Sequence, residues 1–416
     1  MSNVGTMFEH NKTVFILGAG ASWHYGYPTG EDLTRKVVAQ SINLRTCFEN
    51  SIHKANFSLS HIPQFVIDNA DWQLENSNDS KNALIKAMQD CEAIHDRLIA
   101  VDPLVIDFFL GQNEDLANLG RLLIALVLLD CEAKDMLGSG NQNRRELFSR
   151  SPLLSDREKV SGLEIKHYSD NWCRFLIHKL VHKCECAGGI LRNKVSFVTF
   201  NYDVSLEYHL YRGIQSIKLF NQTDEAEQFF QPPRFFHAYG QIRNNAVEAP
   251  PRFSLAPLTD SMMAVDDHNS HFEKVKLLLN YAYQASKGIK TMAPGKLERD
   301  ANVLAACEVI DDADCVYILG YGFDPANNEL LDLSNSLSER KQKTVLLTNF
   351  NGLYSINKNA SRVLFGNPEV LMQRDIVMGT RGGGIPRCEK SVRDVYHALA
   401  FDFDHLEEQI LPTTAF

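Results

Sequence analysis

Several short segments carry residue types that could do chemistry, and each follows a run of apolar residues. Gly18-Ala19-Gly20-Ala21-Ser22 pairs two glycines with a hydroxyl. Glycines let a backbone come close to a diphosphate, and amide groups at the start of a following helix can donate to its oxygens. Ser22 could add a hydroxyl donor, although the same turn could equally serve tight packing alone. A third glycine completing the GxGxxG fingerprint would fall at Trp23 and is absent. No acidic residue ends an evident second strand about 20 positions on, which disfavours a hydride-transferring dehydrogenase.

The next segment is Thr199-Phe200-Asn201-Tyr202-Asp203. Asn and Asp are poor strand formers, so a polar pair here either makes a turn through its own side chains or faces a ligand. His237 stands in Phe235-Phe236-His237-Ala238-Tyr239-Gly240, and a lone histidine is more often structural than catalytic. Two further turns repeat the pattern: Leu319-Gly320-Tyr321-Gly322-Phe323, followed by Asn327 and Asn328, and Thr348-Asn349-Phe350-Asn351.

These segments need strands to present them. Lys12–Leu17, Val195–Phe200, Ile217–Phe220, Arg234–His237, Asp314–Leu319 and Thr344–Thr348 read as strands. Asp32–Ala39, Ala83–Ile99, Leu116–Ala133, Ser169–Lys183, Ala301–Ile310 and Asn328–Leu337 read as helices. Alternating strands and helices imply a parallel sheet with helices on both faces. Ligands of such sheets bind beyond the carboxyl ends of the strands, where all these segments lie. Three parts are expected: a split domain of residues 1–35 and 190–385, a helical insertion at 36–189, and a C-terminal stretch, 386–416, with a helix at Val392–Leu411.

Taken in order, GAGAS, TFNYD with Glu207 a helical step later, HAYG, LGYGF and LTN resemble the NAD⁺-binding core of the sirtuin family. More narrowly they resemble the sirtuin-like NAD⁺-consuming proteins of bacterial anti-phage defence. The resemblance covers about half the chain and leaves out the helical region. It implies an α/β fold: a Rossmann-like parallel sheet interrupted by a large helical insertion. It implies that Gly18, Ala19, Gly20, Ala21 and Ser22 hold the diphosphate of NAD⁺. Thr199 would help bind NAD⁺, and Asn201 would contact the nicotinamide ribose and help place a water. Asp203 would orient the carboxamide, and His237 would be the general base toward a ribose hydroxyl or water. Gly320, Gly322 and Asn349 would line the adenosine half.

The departures from the family point to one outcome. Deacetylating sirtuins carry paired CxxC motifs after the catalytic histidine. Here only Cys307, Cys315 and Cys388 follow His237, too few for a four-thiolate zinc ribbon. Gly26-Tyr27-Pro28-Thr29-Gly30 replaces the family's arginine-bearing loop. The expectation is therefore an NAD⁺ glycohydrolase, with NAD⁺ as substrate and no metal. The alternatives are an NAD⁺-dependent protein deacylase and a non-catalytic scaffold sensing NAD⁺ or ADP-ribose.

Totals bound the remaining choices. The 416 residues, 44% hydrophobic and 23% charged, suit a globular protein, and a net charge of −10 argues against a nucleic-acid-coating surface. The longest apolar run, Leu122–Leu129, is short of the ~20 residues that cross a membrane. The amino terminus lacks a secretory signal, and nine scattered cysteines suit a reducing cytoplasm. The resemblance adds a homo-oligomer, with Leu116–Leu129 as apolar assembly surface, and a HerA-type ATPase partner, since this chain has no P-loop. His178, His182 and Cys186 share one helix face at metal-like spacing but lack a fourth ligand. Asp311, Asp312 and Asp314 read as a solvated turn, and Gly382–Gly384 as a mobile loop.

Overall fold

A computed structural model describes residues 7–53, 62–70, 72–103, 105–133, 135, 172–182, 184–221, 224–231, 234–243, 268–291, 299–337, 343–348, 354–366, 368 and 387–389. The expected helix at Val392–Leu411, the Gly382–Gly384 loop and Asn349 lie outside them.

The sheet comprises β1 (Thr13–Leu17), β2 (Val195–Thr199), β3 (Phe235–His237), β4 (Cys315–Leu319), β5 (Thr344–Thr348) and β6 (Arg387–Glu389). All pairings are parallel and the order is β3-β2-β1-β4-β5-β6. This is the strand order of a Rossmann-like fold, and helices flank the sheet. Every residue of β1 and β4 is buried. Strands covered on both faces read as unbroken apolar runs, which is why TVFIL and CVYIL stood out.

Register stacks four aromatics across neighbouring strands: Phe235 meets Phe197, Phe197 meets Phe15, and Phe15 meets Tyr317. Their ring centroids are 4.8, 5.4 and 4.9 Å apart respectively, each pair nearly parallel. Trp172 stacks over Phe15 at 6.1 Å and roofs this ladder. At the amino edge of the sheet the Lys12 amide donates to Asp314 and the Lys12 ammonium to Asp312, so part of the expected solvated turn ties β1 to the entry of β4.

Two sequence-based expectations need correction. Ile217–Phe220 is not a strand; it forms turns after the helix Ser205–Gln215, with the Ile217 and Phe220 amides donating to Ile214 and Ile217 carbonyls. Phe220 is fully buried in the core under the sheet with Ile217 packed against that core, and three apolar residues in a stretch of four cannot by themselves distinguish the two conformations. The helix expected over Asn328–Leu337 is two short helices, Pro325–Leu330 and Leu333–Ser336. Asp324 caps the first from outside the expected range, and Asp332 breaks the run with a left-handed φ of 53°.

The chain forms two compact units. The sheet unit takes Met1–Tyr25, Arg145–Ala238 and Glu298–Phe416; the helical unit takes Gly26–Arg144 and Tyr239–Leu297. The helix Trp172–Val181 thus belongs with the sheet, and His268–Ser286 with the helices. Within the helical unit Gly30–Ile52 packs on Ser77–Val101 and on Glu114–Glu132, which packs in turn on His268–Ser286. Leu116, Leu119 and all of Leu122–Leu129 are buried inside this unit. The apolar surface expected for assembly is spent on the unit's own core. Among the described residues no helix is long and apolar enough to cross a membrane.

Candidate functional site

The strand order reverses direction between β1 and β4: β2 and β3 lie to one side, β5 and β6 to the other. At such a switch point the connections diverge and leave a crevice beyond the strand ends. Gly18–Ser22 leaves β1 there and Gly320–Phe323 leaves β4.

The two turns are locked together by backbone. The Gly18 amide donates to the Leu319 carbonyl at 2.9 Å and the Gly20 amide to the Gly320 carbonyl at 3.0 Å. A Cβ on Gly18 would stand 2.4 Å from the Gly320 oxygen, and one on Gly320, at φ +60°, only 2.3 Å from the Ala21 nitrogen. These glycines therefore serve close approach between two turns. The Ala21 amide also donates inward, to the Gly18 carbonyl at 2.9 Å. Three of the amide groups expected to meet a diphosphate are thus already engaged. Gly322 differs: among the described residues nothing lies within 4 Å of where its Cβ would be, so here the backbone can be approached.

Thr348, at the end of β5, fixes the second turn by accepting from the Gly320 amide through Oγ1 at 2.8 Å. Thr348→Val keeps the shape and removes the acceptor. Leaving that amide unsatisfied is expected to cost about 1–3 kcal/mol, read from the denaturant midpoint of the sheet unit; an unchanged midpoint would mean the bond contributes nothing.

Beside the first turn lies a polar cluster in which Asn201 is half-buried and Ser22, Asp203 and Ser205 are buried. Asn201 donates through Nδ2 to the Gly18 carbonyl at 3.1 Å and to Ser22 Oγ at 3.2 Å. With both amide protons spent, Asn201 offers an incoming molecule its carbonyl oxygen. Ser22 Oγ donates to Asp203 Oδ2 at 3.1 Å, and Asp203 Oδ1 accepts from the Ser205 amide at 3.1 Å and from the Ser205 hydroxyl. Burial pushes the Asp203 carboxyl above the usual carboxylate range, against the pull of the Ser205 bonds. Asp203 is thus an anchor of the turn. Thr199 accepts from the Asn201 amide through Oγ1 at 3.0 Å and likewise shapes this turn.

His237 ends β3, where its neighbour Ala238 donates to the Thr199 carbonyl at 2.9 Å. Its Nδ1 donates to the Asn201 carbonyl at 2.9 Å, and its Nε2 lies 2.6 Å from Glu207 Oε1. Both groups are buried, His237 at 5% and Glu207 at 8% exposure. Burial alone would lower the imidazole's pKa; the adjoining Glu207 carboxylate and the hydrogen bonds outweigh it and raise it above the ordinary value.

Ser22, Thr199, Asn201, Asp203 and Glu207 line one small cavity whose apolar wall includes Leu17, Tyr25 and Trp172. It has room for little more than a water molecule. Gly320 and Gly322 sit on the neighbouring turn. Sequence reasoning missed Trp172, Ser205 and Asn302 here. Trp172 Nε1 donates to the Ala21 carbonyl at 3.0 Å, and Asn302 Nδ2 to the His237 carbonyl at 2.8 Å. His178 and His182 have ring centroids 5.0 Å apart, and no group of three or more His, Cys, Asp or Glu among the described residues is placed to hold a metal ion.

Comparison with protein-family models, with curated proteins and with solved structures finds no match.

Proposed function

We propose that this protein is an NAD⁺ glycohydrolase, releasing nicotinamide and ADP-ribose. One observation carries the reading: next to the β1–β4 switch point of a β3-β2-β1-β4-β5-β6 sheet, a small cavity is lined by half-buried Asn201 with buried Asp203 and Glu207, and Glu207 pairs with His237. Dinucleotides bind at that switch point in sheets of this order. The cluster suits the reacting end. Nicotinamide in NAD⁺ is a cation, and breaking its bond to ribose builds oxocarbenium character at the anomeric carbon. Carboxylates and amide dipoles held in a water-poor site favour both charges.

Hydrolysis balances simply. The C–N bond breaks with its electron pair going to the nicotinamide nitrogen, a water oxygen bonds to the anomeric carbon, and one water proton leaves. The cavity beside Glu207 has space for that water. By the resemblance, the setting is NAD⁺ depletion during phage infection, with a HerA-type ATPase as partner.

The test is nicotinamide release from NAD⁺ by the purified protein. Asn201→Ala is expected to slow it by about 100-fold or more, the usual loss when a preorganised dipole is removed. Equal rates for parent and variant would refute the site. Binding of NAD⁺ without release would favour a sensing scaffold, and acetyl-group transfer from an acetyl-peptide would favour a deacylase.

A further inference from the structure

We propose that Glu207, and not His237, takes the proton from the attacking water, with His237 as a positioning residue that holds Glu207 in place. The inference rests on the NAD⁺-cleaving reading above and assigns roles within the same site.

The geometry restricts His237 first. Its Nδ1 faces the Asn201 carbonyl at 2.9 Å, a group that only accepts, so the Nδ1 proton is fixed there. Its Nε2 lies 2.6 Å from Glu207 Oε1. The pair shares one proton across that contact, carried either by the imidazole or by the carboxyl. In the first arrangement His237 has no nitrogen lone pair left, and in the second the Nε2 lone pair is already occupied in accepting from the Glu207 carboxyl, so neither leaves one for a proton arriving from the cavity. His237 also lies behind the cavity wall, whereas Glu207 is part of it, beside Asn201 and Ser205.

Glu207 has what a base needs: a place on the wall and an oxygen atom, Oε2, other than the one that meets His237. The other titratable groups facing the pair are Asp203, Cys173 and Tyr25, and Asp203 adds a second negative charge near His237. That environment favours the imidazolium, in keeping with the raised pKa of His237. The step is then complete. As the C–N bond breaks toward nicotinamide, the water oxygen bonds to the anomeric carbon and its proton moves to the Glu207 carboxylate, which later returns it to solvent.

Elsewhere, the Asn302 bond to the His237 carbonyl holds the backbone of β3 in position for this pairing.

The experiment combines kinetics with a measurement on the resting protein. Glu207→Gln should lower kcat by about 100-fold or more, the span of general-base effects, with KM for NAD⁺ within about threefold of the parent. Glu207→Asp should recover part of the lost rate. His237→Gln should keep measurable kcat, because a glutamine amide can still donate to the Glu207 carboxylate. The reverse pattern overturns the assignment: Glu207→Gln active, and His237→Gln inactive at every pH. The ¹⁵N spectrum of the intact protein's imidazoles, followed as pH rises through 6.5, reads the pair whether or not NAD⁺ is cleaved. His237 is expected to keep protons on both nitrogens to a higher pH than an ordinary imidazole, and an Nε2 that loses its proton below the ordinary value overturns the proposal. Failure of the parent to release nicotinamide would refute the function proposed above and leave the spectrum to decide the state of the pair.

Discussion

Gly320→Ala is expected to destabilise the sheet unit by about 2–5 kcal/mol. Two independent costs add. A non-glycine residue at φ +60° takes on about 1–2 kcal/mol of left-handed strain. Its Cβ would also stand 2.3 Å from the Ala21 nitrogen and 2.6 Å from the Gly20 Cα. Both neighbours are backbone, fixed by the bond between the Gly20 amide and the Gly320 carbonyl, so relief requires moving a whole turn. Overpacking of this kind costs about 1–3 kcal/mol. Against a total stability of about 5–15 kcal/mol, the loss is a large fraction. Gly322→Ala, two residues on, meets open space and needs no positive φ, so its denaturation midpoint should stay near the parent's. Similar midpoints for the two variants would show that the turns are not locked as described.

The second large effect belongs to Glu207. Glu207→Ala leaves His237 buried without its partner carboxylate, and breaking a buried pair from one side costs about 3–5 kcal/mol. The pH dependence gives the sharper test. In the parent, the folded pKa of His237 is raised above its unfolded value of 6.5. The folded state then binds the proton more tightly, so this stabilisation is fully present below pH 6.5 and fades as pH rises through the folded value. In Glu207→Gln the carboxylate is gone and burial, the largest influence on the ring, dominates and lowers the pKa. The sign inverts: this variant should lose stability as pH falls through 6.5 and below. Parallel stability–pH curves for parent and Glu207→Gln would rule out the ion pair.

Much of the sheet was readable because the strands of a buried parallel sheet are apolar runs ended by glycine or polar residues. TVFIL–GAG, VSFVT–FNYD and CVYIL–GYG each announce strand and turn together. Their meeting at one crevice followed from strand direction alone. Ser22, Asn201 and Asp203 were identifiable for the same reason. What each does with its protons was not, since a hydrogen-bond chain from Asn201 through Ser22 to Asp203 has no trace in spacing. Glu207 was noticed as a helical step, but its pairing with His237 joins the helix Ser205–Gln215 to β3 and is purely tertiary. Trp172 was hidden by distance along the chain, placed in a segment whose helical pattern suggested membership of the insertion. Gly18, Gly20 and Gly320 were read as facing a ligand, and spacing gave no sign that they also pack against one another.

The pairing of β1 with β4 also has a consequence in time. Leu17 sits beside Leu319, and the crevice exists only when both are in place. About 300 residues separate them, so a ribosome working at roughly 5–20 residues per second makes β4 about 15–60 seconds after β1. Through that interval the first strand has half its final neighbours at most, and the Gly18–Ser22 turn has no opposing turn to lock against. An enzyme of the proposed activity would therefore be born harmless. Nascent chains and early-terminated fragments lack the paired turns, and the site of the proposed activity forms only when synthesis has passed the strand that completes it.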